Sequence, residues 1–294
     1  MEHDKALGQI SFLIKLLTDR DEFVRSRVQD QLVDLGEDAL PFLEMATRGE
    51  DDALRIRANA VIQNILPQKL AEKFRQLAQK GLGQDIDLET GMMLVMEFGY
   101  PDSDPEEYRQ KLDDLAQTFA DTLNPEAEPS EIVAAFTHFL FQQKGFKGNK
   151  DNYHNPDNSF INKVLDNQTG LPITLSAICV LLAKRLNLPI VGVGMPGHYI
   201  VKYSLPIEPI YFDPFHQGRL LTKKECIQIV EQFGHSFEEH FLSQATQRET
   251  LVRMLNNLVQ VYKNSNETKK AETLAEYIKI LLNPSKNQQS ERTR

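Results

Sequence analysis

GLPITLSAICVLLAKRLNLPIVGVGMPGHYIVKYSLPIEPIYFDPF, residues 170–215, decides the fold. Its first part, ITLSAICVLLAKRL, is apolar nearly all round, which marks a buried helix rather than a surface one. Thr174 is placed to cap its N-terminus, and Lys184 and Arg185 in the last turn suit the helix dipole. After Asn187 the pattern switches. NLPIVGVGM and HYIVKY are short, β-branched or aromatic, and bounded by Gly and Pro, so they read as strands. PIYFDPF reads as a third strand, entered from the proline-containing turn LPIEP. A buried helix followed by one small antiparallel sheet over residues 188–215 is an α+β arrangement.

The order of polar residues along this stretch carries chemistry. A Gly-x-x motif opens the helix, His198 opens the second strand and Asp213 ends the third. This order resembles the transglutaminase-like core of the papain-type superfamily. There the helix opens with Gly-x-Cys. A thiol at a helix N-terminus is pushed towards thiolate by the dipole and a neighbouring imidazolium, and the Asp orients the imidazole. The resemblance implies that His198 and Asp213 are hydrogen-bonded, with Gly170 to Thr174 facing them. It also puts Pro172 at the position of the Cys, and proline has no nucleophilic atom. Cys179 lies seven residues further on, about two turns along the helix, and reads as a small buried hydrophobe. Cys226, in KKECIQIVEQF, reads as structural too. Thr174 and Ser176 are the remaining hydroxyls near the helix start, as caps or as a displaced nucleophile.

Upstream, residues 144–172 (KGFKGNKDNYHNPDNSFINKVLDNQTGLP) crowd glycines, asparagines and aspartates into a loop rich in donors and acceptors. Together, NPDNSFINKVLDNQTGLPITLS, RLNLPIVGVGMPGHYIVKY and IYFDPFHQGRLLT resemble the SirB family of transglutaminase-like, tetratricopeptide-containing proteins. The shared motifs are Asn158-Ser159, Gly170-x-Pro-Ile-x-Leu-Ser176, Pro196-Gly-His198 and Asp213-Pro-Phe215. The resemblance covers residues 85–285 and implies a fold more than an activity. The family has been linked to regulation of gene expression in bacteria.

The N-terminal segment repeats itself. SFLIKLLTDRDEFVRSRVQDQLVDL, residues 11–35, returns at an offset of 30 as PFLEMATRGEDDALRIRANAVIQNI, residues 41–65. Each unit is a short amphipathic helix, an acidic turn and a longer amphipathic helix, similar to a HEAT repeat of short period. Val24, Val28, Leu32 and Leu35 make one helical face. Two units cannot bury their faces alone, so they are expected to pack on the rest of the chain. Arg25, Arg27, Arg55 and Arg57 read as pairing with the acidic turns, the alternative being a partner-binding ridge. KGLGQDIDL, residues 80–88, marks a boundary. Helical patterning then resumes, with Met92, Met93 and Met96 as core filling and Leu112, Leu115, Phe119 and Leu123 as a helix face. At the other end, residues 251–284 read as a helical hairpin in which Leu258, Tyr262 and Ala271 keep tetratricopeptide spacing and Pro284 ends the unit.

The expected organisation is a HEAT-like pair over 1–80, a transglutaminase-like core over 81–245, a tetratricopeptide-like hairpin over 246–284 and a disordered tail over 285–294. The formal charge of −9 argues against a general electrostatic grip on nucleic acid. The start, MEHDKALGQISF, has charges where a signal peptide needs an apolar stretch. With two cysteines and no membrane-length apolar run, a cytoplasmic, acidic protein is expected, with no cofactor or metal. Two functions remain open. One is a non-catalytic module that holds a protein or peptide partner, using Asn155, Asn158, Ser159, Gly170, Pro172, Thr174, Ser176, His198 and Asp213. The other is an acyl-transfer or amide-hydrolysing enzyme with a displaced nucleophile and a His198–Asp213 pair.

Overall fold

A computed structural model describes residues 2–80, 84–124 and 126–283. The glycines of the expected 80–88 boundary, the closing Pro284 and the tail lie outside the described residues. The chain divides into two compact units, Met1–Lys73 and Phe74–Arg294.

The first unit is two helical hairpins: α1 (Glu2–Leu16) with α2 (Glu22–Leu35), then α3 (Leu40–Thr47) with α4 (Asp52–Lys80). Asp21 caps α2 by accepting the Phe23 N–H, and Asp51 accepts the Leu54 N–H at the start of α4. Val28, Leu32, Leu43, Val61 and Ile65 bury the shared face. The arginines follow the acidic turns. Arg25 donates to the carbonyls of Asp19 and Arg20, and Arg55 pairs with Asp52 at 2.6 Å. Helix α4 continues through Pro67. The division between units falls inside α4, because Phe74 belongs to the second core and stacks on Tyr277 at 4.6 Å.

The second unit opens with α5 (Leu88–Gly99), α6 (Pro105–Ala120), α7 (Pro129–Thr137) and α8 (Ile161–Asn167), of which α6 and α8 pack directly on α9 (Pro172–Arg185). Helix α9 is buried along nearly its whole circumference, as its apolar sequence requires. Met92, Met93 and Met96 are core residues. Lys184 and Arg185 do more than suit a dipole. Lys184 reaches Asp87, and Arg185 reaches Glu89 and Asp113, tying α9 to α5 and α6.

The helix begins earlier than expected. Leu171 is the extended cap residue and Pro172 the first helical one, so Thr174 lies in the first turn and is no cap. Proline's fixed φ suits that first position, and the Leu171 N–H is held by the Asn158 carbonyl.

The sheet is antiparallel in the order β3 (Ile190–Val193), β4 (Ile200–Tyr203), β5 (Ile210–Asp213) and β6 (Arg219–Leu221). Its first three strands are those read from the sequence. The fourth extends it past residue 215, through a turn that uses positive φ at Gln217 and Gly218. Val193, Ile200, Tyr211 and Leu221 cover one face against Cys226 and Val230 of α10 (Lys223–Gln232). A separate two-residue parallel pair joins β1 (Lys147–Gly148) to β2 (Thr169–Gly170). The unit closes with the hairpin of α11 (Gln247–Asn264) and α12 (Thr268–Leu282), where Leu258, Tyr262 and Ala271 are buried. Among the described residues no helix is long and apolar enough to cross a membrane.

Candidate functional site

The site forms where three turns meet. Gly197, at φ 75°, makes the Pro-Gly-His turn that a side chain could not make without strain. Arg253 of α11 fixes this turn by donating to the carbonyls of Met195 (2.8 Å) and His198 (3.0 Å). Asp213 ends β5. The start of α9 is tied to the Asp-Pro-Phe turn through Gly148: it pairs with Gly170 in the β1–β2 pair, and its N–H donates to the Phe215 carbonyl at 3.1 Å.

His198 and Asp213 are brought together, with Nε2 of the ring 2.7 Å from Oδ2 of the carboxylate. Both are buried. A third group, His216, was not singled out from the sequence. Its Nδ1 lies 2.8 Å from the same Oδ2, and its side chain is 45% exposed. The other oxygen, Oδ1, accepts the backbone N–H of Phe215 (2.9 Å) and of His216 (3.3 Å). Burial works to raise the Asp213 carboxyl pKa, but the hydrogen bonds and charge of His198 and His216 prevail and hold it below the usual carboxylate range. The available signal was a His three residues after the Asp, in a turn that folds back on it.

The remaining expected site residues are more enclosed than a cleft lining would be. Asn155 caps a short 3-10 turn by accepting the Asp157 N–H. Asn158 commits its amide to the loop: Oδ1 accepts from Asn149, and Nδ2 donates to the carbonyls of Asn152 and Tyr153. Ser159 and Thr174 are buried with unpartnered hydroxyls. Ser176 is buried and reaches the Tyr199 carbonyl at 3.5 Å. Gly170 and Pro172 are buried at the opening of α9.

Neither thiol is poised for attack. Cys179 is fully buried mid-helix, and burial pushes its thiol far above the usual range; burial also pushes Cys226 up, to about 11. Cys179 is therefore expected to resist a thiol-alkylating reagent in the folded protein and to react only on unfolding. Fast, stoichiometric labelling under native conditions, read by mass spectrometry, would contradict this.

Polar groups do border an open groove beside the Pro-Gly-His turn. It has a volume of about 500 Å³ and is lined by Pro196, Tyr199, Phe241, Glu249 and Arg253, among others.

The structure places His198 in the turn two residues before β4 rather than at the strand's first position, and a buried helix feeding an antiparallel sheet, with a His ahead of one strand and an Asp at the end of the next, defines a class. A model described as the transglutaminase-like superfamily matches residues 106–256. The chain belongs to that superfamily, and its relatives include bacterial UPF0162 proteins. The one from Xylella fastidiosa (strain 9a5c) is 34% identical over 205 residues, covering 66% of this chain and 72% of the relative. The one from Pseudomonas aeruginosa is 27% identical over 170 residues, 57% of this chain and 62% of the relative. F-box only protein 21 of Mus musculus is 27% identical over 161 residues, 52% of this chain and 25% of that longer protein. No solved structure matches the chain.

Proposed function

We propose that this is a non-catalytic, SirB-type transglutaminase-like protein that acts as a regulatory module by binding a protein or peptide segment. The observation that carries the reading is Pro172 at the first position of α9. By the resemblance, that is where the superfamily's nucleophilic Cys belongs. Proline cannot form an acyl intermediate, and the thiols and hydroxyls nearby are enclosed. The groove beside the Pro-Gly-His turn offers aromatic surface with a carboxylate and a guanidinium, the mixture that orients an extended peptide. The HEAT-like and tetratricopeptide-like helices supply further docking surface. The net charge of −9 disfavours direct nucleic-acid binding, so an effect on gene expression would pass through a protein partner in the cytoplasm. F-box only protein 21 has a similar segment as a quarter of its length, an arrangement suited to a module.

One observation favours a second reading. The His198–Asp213 bond is the geometry of an oriented general base, which could activate water on an amide without a protein nucleophile. A single experiment separates the two. Purified protein is incubated with glutamine-donor and amide substrates, and partners are recovered by pull-down with wild type and with His198→Ala. Binding without turnover, lost in the variant, is the expected result. Turnover that vanishes in the variant would make the protein an enzyme.

A further inference from the structure

We propose that His198, Asp213 and His216 form a binding site for one divalent transition-metal ion of the zinc class. His198 Nε2, Asp213 Oδ2 and His216 Nδ1 all lie within 4.8 Å of one another. Two of these separations are 2.7 and 2.8 Å, through the shared carboxylate oxygen. Zinc bonds to imidazole and carboxylate are ~2.0–2.2 Å, so tetrahedral ligands stand about 3.4 Å apart. Seating the ion therefore takes an outward shift of about 0.6–0.7 Å at these two contacts, with the two ring nitrogens settling at a similar spacing.

The donor set selects the metal. Two imidazoles and one carboxylate suit zinc, iron(II), cobalt(II) or nickel(II), whereas calcium and magnesium call for oxygen ligands. Three protein ligands leave at least one coordination position open.

The surroundings hold these atoms as a metal site requires. Asp213 Oδ1 is fixed by two backbone N–H groups, which aims Oδ2 at the rings as a single-oxygen ligand. Arg253 anchors the backbone of His198 from α11, while Asp213 and His216 share one turn after β5. Access is graded as well. Asp213 and His198 form a buried floor, at 3% and 10% side-chain exposure, and His216 opens to solvent. A bound cation would be met by one carboxylate and two neutral imidazoles, each carrying its proton on the ring nitrogen that faces away from the ion. On the binding reading above, the open position would take a carboxylate or carbonyl oxygen of the partner peptide. The metal site itself does not depend on that reading.

The test uses the full chain, free of any affinity tag, stripped with a chelator and exchanged into metal-free buffer. Zinc is titrated by calorimetry, and cobalt(II) is followed by its visible absorption. Wild type should bind one equivalent of zinc, gain the intense cobalt bands of a low-coordinate site, and melt at a higher temperature with zinc present. His216→Ala should weaken binding by about a hundredfold, the upper end of what loss of a mere supporting contact costs, and abolish the thermal shift. Because His216 is half-exposed the variant should fold, and His216→Gln gives a second variant closer in size. His240→Ala, at an exposed histidine paired with Glu238, should change nothing. Zinc bound no more tightly by wild type than by His216→Ala, or lost on His240→Ala instead, would overturn the proposal. Failure to capture a partner would sink the peptide-binding reading and leave this one standing, since no partner takes part in the titration.

Discussion

Replacing Arg185 with alanine should destabilise the protein by about 3 kcal/mol, among the larger effects of any single side-chain truncation in it. Arg185 grips Glu89 with both terminal nitrogens, at 2.7 and 3.0 Å, and Asp113 with Nε at 2.5 Å. Glu89 is buried at 9% exposure and retains only Arg109, at 3.0 Å, among its described ionic partners once Arg185 is gone. Breaking a buried pair from one side costs ~3–5 kcal/mol because the remaining charge is stranded. Arg109 offsets part of that here, which places the estimate at the low end. For a unit of this size the loss amounts to a fall in Tm of roughly 6–12 °C. Arg185→Met combined with Glu89→Leu should recover most of the loss, because the buried charge is removed along with its partner. Urea unfolding of wild type and the two variants checks both statements. A loss below about 0.5 kcal/mol in the single variant would mean that the network behaves as a solvated surface pair.

The same residue shows where sequence reasoning stops. Its place in the last turn of a buried helix was legible from the apolar run that precedes it. Its partners were not, since Glu89 and Asp113 lie on other helices and look like any surface carboxylates in the sequence. Long patterned stretches identify themselves: α9 follows from its continuous apolar run, the first three strands from β-branched and aromatic residues between Gly and Pro, and the helical hairpins at both ends from their spacing. The parallel pair Lys147–Gly148 with Thr169–Gly170 is two residues long and has no period to read. Strand β6 is three residues, two of them exposed, so burial left no alternating pattern. Thr174 is a good capping type and points to a later start for α9, whereas the tertiary contact from Asn158 to Leu171 and the fixed φ of Pro172 set the start earlier.

The candidate site was legible in the same uneven way. His198 lies two residues before β4 and Asp213 ends β5, and neighbouring antiparallel strands bring such positions together. His216 depends on a turn in which Gly218 N–H returns to the Asp213 carbonyl at 2.8 Å, a closure that no periodicity announces. The asparagine-rich loop was correctly a loop. Its amides serve the loop's own backbone, however, which composition alone cannot tell from ligand binding.

Gly148→Ala should carry the second large effect, a loss of about 2–3 kcal/mol from a single methyl group. A Cβ at residue 148 would stand 2.3 to 2.6 Å from three ring carbons of Phe215, nearer than any real side-chain contact. The ring cannot swing aside freely. It is buried at 8% exposure and meets the edges or faces of Tyr153, His198 and His216, with centroids 5.3 to 6.4 Å away. The backbone cannot retreat without breaking the Gly148 N–H bond to the Phe215 carbonyl and the pairing with Gly170. Whichever gives way, the strain falls on the turn that carries Asp213 and His216 and on the opening of α9. The variant should therefore lose zinc binding or partner binding by more than its stability loss explains, even well below its lowered Tm. Gly194→Ala is the matched control. Its Cβ would find its nearest neighbour at an ordinary 3.5 Å, so stability and zinc binding should both hold within about 0.5 kcal/mol. Equal behaviour of the two variants in thermal melts and zinc titrations would show that Phe215 yields without cost, and that the close packing of Gly148 against it does not position the site.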